Sequence, residues 1–282
     1  MVSVITQGLV SSKDDVENII SFKKFTDDVI LVTWKNHLNT DYKEKLEIVG
    51  IRIIEIDDPG SEKAYQENGI LKYLNVNRRI VSYQKALQAS TYDKVVITRT
   101  DIQFDINITI SSFDQNNKKI AVTNINSINP YQFLAPEYYC SMCDWIFVSN
   151  KKYLLEHLKE TNENSLQLKK SYSISSQTWY SVLSAEQIFT LLLIGEKLDI
   201  QRFNNTTLNG RNNLKHIHES KLKEKFLILH HRSIKLKSTK FRYFTQDWIS
   251  YQNSNFKNTW FDNLLNFRSL LIFLLSKIKS LF

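Results

Sequence analysis

The chain has 282 residues, 42% of them hydrophobic and 12% aromatic, which supplies a sizeable core and excludes intrinsic disorder. Only three prolines and six glycines occur, so long flexible linkers are excluded as well, and one compact body is expected. The formal charge of +8 is uneven: residues 211–242 carry ten Lys or Arg against Glu219 and Glu224. Such a block favours polyanions, whether nucleic acid, anionic headgroups or ligand phosphates, and it equally describes a solvated basic face.

The opening MVSVITQGLVSSKDD has no basic leader before its apolar run and turns polar at Ser11, so it reads as a first strand and not a signal peptide. In SSKDDVENIISFKKF, Ser12 followed by Asp15 has the form of a capping box, with Val16, Ile19 and Ile20 on one helical face. Apolar runs of strand length then recur with helical segments between them: Val2 to Ile5, Val29 to Thr33, Ile51 to Ile56, Val95 to Thr98, Ile120 to Thr123 and Trp145 to Val148. This alternation predicts an α/β fold with a mainly parallel sheet. Before the fourth strand, Val76, Ile80, Tyr83 and Leu87 form one apolar stripe, which leaves Asn77, Arg78 and Arg79 near the start of that helix.

The fourth strand ends abruptly in Arg99-Thr100-Asp101. In open parallel sheets ligands bind outside the carboxyl ends of the strands. A carboxylate there can hold a divalent cation and an arginine can meet phosphate; alternatively the two side chains pair with each other. Cys140 and Cys143 form a C-x-x-C with nothing to complete a zinc site and no thioredoxin-like setting, so reduced thiols in a cytosolic protein are expected.

Further along, Ser184 and Gln187 have the form of a second capping box, with Glu186 in the first helical turn, where it complements the helix dipole or serves as a base. The preceding residues 160–182 are polar and Ser-rich, with Trp179 and Tyr180 suited to stacking on a sugar or to core packing. Phe226 to Leu229 is a buried-looking strand ending in His230 and His231, and neutral imidazole is a good ligand for a divalent metal. The C-terminal NLLNFRSLLIFLLSKIKSLF has its longest apolar run at Leu270 to Leu275, too short to span a bilayer, with Lys277 and Lys279 interrupting it. It reads as an amphipathic helix lying on the inner membrane surface or docked on the protein's own core.

Seven segments, in order, resemble WavE-type lipopolysaccharide and capsule synthesis proteins: VSVITQGLV, VILVTW, IDDPG, NVNRRIVSYQKAL, ITRTDIQF, SMCDWIFVSN and AEQIF. The likeness extends to about residue 200. It implies a bacterial glycosyltransferase with a GT-A-like, Rossmann-type fold over residues 1–245, divided into a nucleotide-sugar half (1–125) and an acceptor half (126–245), followed by a helical tail (246–282). On this resemblance Arg99-Thr100-Asp101 is the counterpart of a DXD motif, with Arg where the first Asp would stand. Asp101, with His230, would hold manganese or magnesium. Gln7, Gly8, Asp57 and Asp58 would line the nucleotide wall, and Asn77 and Arg78 belong to the helix flanking the donor, with Arg99 and Asp101 completing the nucleotide-sugar site. Glu186, and after it Asp144, is the candidate base for the acceptor hydroxyl.

The expected partners are a nucleotide-sugar donor, a glycan or lipid-linked glycan acceptor and the cytoplasmic face of the inner membrane. Nucleic acid is not expected, because no helix-turn-helix, zinc-finger or RNP-like motif accompanies the basic block. Two rival readings remain: a nucleic-acid-binding protein using residues 211–242, and a non-catalytic glycan-assembly partner that keeps the fold, for which the incomplete DXD speaks.

Overall fold

The structure, a computed structural model, describes residues 1–60, 62–67, 70–123, 139–140, 142, 145–158, 183, 185–199, 202–203 and 208–238. Its centre is a seven-stranded sheet formed by β1 (Ser3–Gln7), β2 (Val29–Trp34), β3 (Arg52–Ile56), β6 (Lys94–Arg99), β8 (Ile120–Thr123), β9 (Ile146–Asn150) and β10 (Phe226–Leu229). Their spatial order is β10-β8-β9-β6-β1-β2-β3. All neighbours pair in parallel except β9, which runs antiparallel to both β6 and β8. The expected α/β, Rossmann-type, mainly parallel architecture is the one observed.

Helices cover both faces, which is why β2 and β8 are buried at every position and read as unbroken apolar or hydroxyl-bearing runs. On one face α1 (Lys13–Ser21), α2 (Thr40–Ile48) and α4 (Ile106–Asp114) contribute Val16, Ile19, Leu46, Ile106 and Phe113 to a core with Val4, Leu31 and Val96. On the other, α3 (Val76–Ala89), α5 (151–158), α6 (Ala185–Leu193) and α7 (Leu208–Ile217) pack around Ile5, Ile30, Val32 and Ile97. The alternation of strand side chains between the two cores follows from the two-residue period of a strand.

Local signals explain the helix limits. Ser12 caps α1: its side chain accepts from the Asp15 amide while the Asp15 carboxylate accepts from the Ser12 amide, which is the predicted capping box. The predicted stripe of α3 is buried throughout, at Val76, Ile80, Tyr83 and Leu87. The predicted second box rests on Ser184, which lies outside the described residues; Gln187 Nε2 donates to the Tyr139 carbonyl at 2.7 Å.

Two small additions were not foreseen. An antiparallel hairpin, β4 (Glu62–Glu67) with β5 (Ile70–Leu74), leads into α3, and β7 (Ile102–Gln103) pairs antiparallel with β11 (Lys237–Ser238). The second pairing draws the chain after β10 back across the residues that follow β6. Among the described residues no helix is long and apolar enough to cross a membrane. The expected tail 246–282, Asp144, Cys143 and the aromatic stretch 160–182 all lie outside the described residues.

Candidate functional site

The connection β1-α1-β2-α2-β3 steps outward on one side of β1, whereas β6 lies on the other side, so the strand order switches direction at β1 and β6. At such a switch the loops diverge and leave a crevice beyond the carboxyl ends of the strands. A cleft of about 630 Å³ opens there. Gln7 and Gly8 from β1, Trp34 from β2, and Arg99, Thr100 and Asp101 from β6 form its base. The first turn of α1 supplies Ser11, Ser12 and Asp15, and the start of α3 supplies Asn75, Arg78, Arg79 and Tyr83.

Gly8 has φ of +129°, a conformation that side-chain-bearing residues rarely adopt, and a Cβ built there would stand 3.6 Å from Thr100 Oγ1. The turn after β6 is held from both sides. Thr100 Oγ1 donates to the Leu9 carbonyl at 2.7 Å, and Asn18 Nδ2 of α1 donates to the Thr100 carbonyl at 2.9 Å. Arg99 and Asp101 pair with each other: Nε and Nη2 donate to the two carboxylate oxygens, each at 2.8 Å. The guanidinium carbon lies 5.2 Å from the centre of the Trp145 ring, and Ser238 Oγ stands 3.4 Å from Asp101 Oδ2. The strand end therefore carries an internal ion pair, the alternative the sequence left open, and that pair lines the cleft.

Arg78 donates through Nε and Nη2 to Asp58 and through Nη1 to Asn75 Oδ1 at 3.0 Å. The hydrogen bond from Arg78 holds the Asp58 carboxyl below the usual carboxylate range, outweighing burial. Arg79 Nη2 lies 3.7 Å from Glu186 Oε1, which brings the first turn of α6 to the rim of the cleft. Three arginines thus face one space, each beside a carboxylate.

Of the residues singled out in the sequence, Gln7, Gly8, Arg78, Arg99 and Asp101 line the cleft, with Asp58 and Glu186 one contact behind it. Asp57 does not join them; its side chain is 85% exposed and pairs with Lys35. Asn77 is buried beside the cleft residues of α3 but is not among those lining it, because it sits on the helix flank between Val76 and the two arginines. His230 follows the edge strand β10, three strands from β6, a separation of about 14 Å at ordinary strand spacing. Its ring stacks on His231 with centroids 4.6 Å apart. Trp34, Asn75, Arg79, Tyr83, Leu9 and the Ser11-Ser12-Asp15 turn are the cleft residues that the sequence did not assign to a site. Arg79 carried a signal, its adjacency to Arg78 in the same helical turn; the two aromatics read as core and are largely buried.

The residues present do not fit the divalent metal implied by the resemblance. Asp101 is gripped at both oxygens by Arg99, and among the described residues no group of three or more His, Cys, Asp or Glu is placed to hold a metal ion. The basic block is also partly committed to the protein itself: Lys221 pairs with Glu196, Lys235 with Asp105 at 3.1 Å, and Lys225 Nζ donates to the Ile194 carbonyl at 2.8 Å. Cys140 is buried, and burial pushes its thiol far up, which makes it a packing residue and not a nucleophile.

His231 gives a stability prediction. Burial, with His230 and Arg232 adding to it, lowers its imidazole to about 4 from an ordinary 6.5. The folded value lies below the unfolded one, so this contribution to stability is complete above about pH 6.5 and is lost as pH falls toward 4. Urea midpoints measured across that range should decline for the wild type and decline less for His231→Phe; parallel curves would exclude the assignment.

No protein-family model matches the chain, and no curated protein matches it. Among solved structures it is similar to a putative glucose-1-phosphate thymidylyltransferase from Bacillus anthracis, in complex with sucrose, at 11% identity and a TM-score of 0.37, over 71% of this chain and 97% of that one. It is similar to glucosyl-3-phosphoglycerate synthase from Mycobacterium tuberculosis, in complex with magnesium and uridine diphosphate, at 11% identity and a TM-score of 0.39, over 60% of this chain and 66% of that one. A third likeness is to residues 1–349 of S. aureus TarS, at 11% identity and a TM-score of 0.38, over 68% of this chain and 54% of that one. Likenesses this distant carry no weight in assigning a function, which has to come from the cleft.

Proposed function

We propose that the protein is a GT-A-like glycosyltransferase that moves a sugar from a nucleotide-sugar to a hydroxyl of a growing surface glycan of the lipopolysaccharide or capsule type. The observation that carries the reading is the cleft at the strand-order switch, about 630 Å³, with Arg78, Arg79 and Arg99 facing it and Trp34 and Tyr83 in its lining. Its volume falls in the range of small-molecule sites, roughly 300–1,000 Å³. Guanidinium groups match phosphate oxygens through paired N–H donors, and aromatic walls accept a flat base or a sugar face. The ordered segments resembling WavE-type proteins support the glycan as the acceptor.

In this reaction an acceptor hydroxyl oxygen attacks the anomeric carbon, the bond from that carbon to the phosphate oxygen breaks, and a nucleoside diphosphate leaves with the electron pair. Negative charge grows on the leaving oxygen, where preorganised cations lower the barrier most. Glu186, beside Arg79 at the rim, is the carboxylate we assign to take the hydroxyl proton in an inverting transfer. Against the nucleic-acid reading stand the basic residues already bound to Glu196, Asp105 and the Ile194 carbonyl.

The test is a thermal-shift panel of UDP-, GDP-, CDP- and dTDP-sugars, followed by product analysis with the donor that responds. A donor supplied at about a hundred times its dissociation constant stabilises the fold by about 2.7 kcal/mol. For a chain of this size that is a rise of about 5–10 °C. A flat panel would overturn the proposal.

A further inference from the structure

We infer that Arg99 is the cation that receives the ligand's phosphate in this cleft, so that a nucleoside diphosphate binds here without a divalent metal. The choice of ligand rests on the glycosyl-transfer reading; the role of Arg99 rests on geometry alone. Both carboxylates that line the cleft are already engaged. Asp15 Oδ2 accepts from the Ser11 amide at 2.9 Å, the Ser11 hydroxyl at 2.9 Å and the Ser12 amide at 3.1 Å. The Ser11 and Ser12 amides just before α1 are therefore already bonded. Asp101 is held at both oxygens by Arg99.

A metal at Asp101 would have to displace a bidentate guanidinium and then sit beside its positive charge, which Coulomb repulsion opposes. Arg99, by contrast, is built to accept an anion. A guanidinium presents five N–H donors in a rigid planar fork. Asp101 takes the Nε–Nη2 edge, and the opposite edge, which carries Nη1, has no partner among the described residues. The plane is fixed by its carboxylate at one edge and by the Trp145 ring on its face, 5.2 Å away. The backbone beneath it is fixed by Thr100 bonding to Leu9 and Asn18. With its orientation settled before the ligand arrives, Arg99 loses little freedom on binding. Arg78 and Arg79, also in the lining, add charge for the second phosphate.

The experiment measures dissociation constants for UDP, GDP, CDP and dTDP by calorimetry, once in EDTA and once with manganese chloride. The probe that binds should do so equally in the two conditions, to within about twofold, and Arg99→Lys should weaken it by about ten- to a hundredfold in both, since lysine keeps the charge but loses the fork. Binding abolished by EDTA and restored by manganese would overturn the inference while leaving the glycosyl-transfer reading in place. Arg99→Lys binding as tightly as the wild type would also overturn it. No binding of any probe in either condition would remove both this inference and the reading on which its ligand depends. If Arg99→Lys does not fold, the comparison of EDTA with manganese on the wild type decides alone.

Discussion

Asp101→Ala is expected to lower kcat/KM for the responding nucleotide-sugar by about a hundredfold or more, with a melting temperature within a few degrees of the wild type. Asp101 is a positioning residue in this arrangement, because it meets the ligand through Arg99. Its removal leaves the guanidinium in place but releases one edge, and a reacting group misplaced by about 1 Å costs roughly a hundredfold in rate. The folded state loses less. The Arg99 side chain is 29% exposed, so water reaches the charge left behind, and the penalty is that of a partly exposed pair, on the order of 1 kcal/mol. The loose Ser238 contact at 3.4 Å adds little. The measurement is steady-state turnover beside a melting curve for each protein. Unchanged turnover would take Asp101 out of the mechanism, and a collapse in melting temperature equal to the loss of activity would make the residue structural.

How much of this was legible in the sequence depended on whether the cause is local. The strands of the central sheet show as apolar runs, most cleanly β2 and β8, which are buried at every position, and least cleanly the edge strand β3, where Arg52 is exposed and Glu55 half-buried. The α1 box is legible because Ser12 and Asp15 lie three residues apart on one turn. The reversal of β9 is not, because Ile146–Asn150 reads the same in either direction and its orientation is decided by pairing with residues 94–98 and 120–122. The hairpin of Glu62–Glu67 and Ile70–Leu74 had a local signal, the Asn68-Gly69 dipeptide in sequence between its strands, which the α/β rhythm overshadowed.

The site divides in the same way. That Arg99 and Asp101 emerge at a carboxyl edge follows from strand polarity, a property of the chain alone. That Asp101 serves Arg99 before any metal is a matter of two side-chain rotamers, and no spacing encodes it. Trp34 and Tyr83 were invisible as site residues for a related reason: each is buried on the core side and shows only a small surface to the cleft, so composition assigns them to packing. His230 drew attention through its doublet with His231, yet the distance that matters, across three strands, is set by sheet order.

The opposite edge of the sheet carries the other large expectation. Asp28, 5% exposed at the start of β2, accepts from the Ser3 hydroxyl at 2.5 Å, from the Thr91 amide at 2.7 Å and from Arg52. It thereby ties β1, β2, β3 and the turn before β6 together at their amino ends. Asp28→Ala leaves a fully buried Ser3 hydroxyl and the Thr91 amide without this acceptor and should cost about 2–4 kcal/mol of stability. Burial by itself would raise the Asp28 carboxyl, but the hydrogen bonds from Ser3 and Thr91, followed by Arg52, hold it below its usual range. Because the folded value is the lower, the contribution is fully present above the unfolded value of about 4 and disappears as pH falls through the folded one. Urea unfolding should therefore show the wild type losing more stability than Asp28→Asn on acidification below about pH 4. The cleft lies at the far end of β1, about 13 Å away at ordinary strand rise. At temperatures where Asp28→Ala remains folded, its dissociation constant for the responding nucleotide should match the wild type, the reverse of the pattern expected for Asp101→Ala. Matched losses of binding and stability in both variants would mean that the two edges of the sheet are not separable.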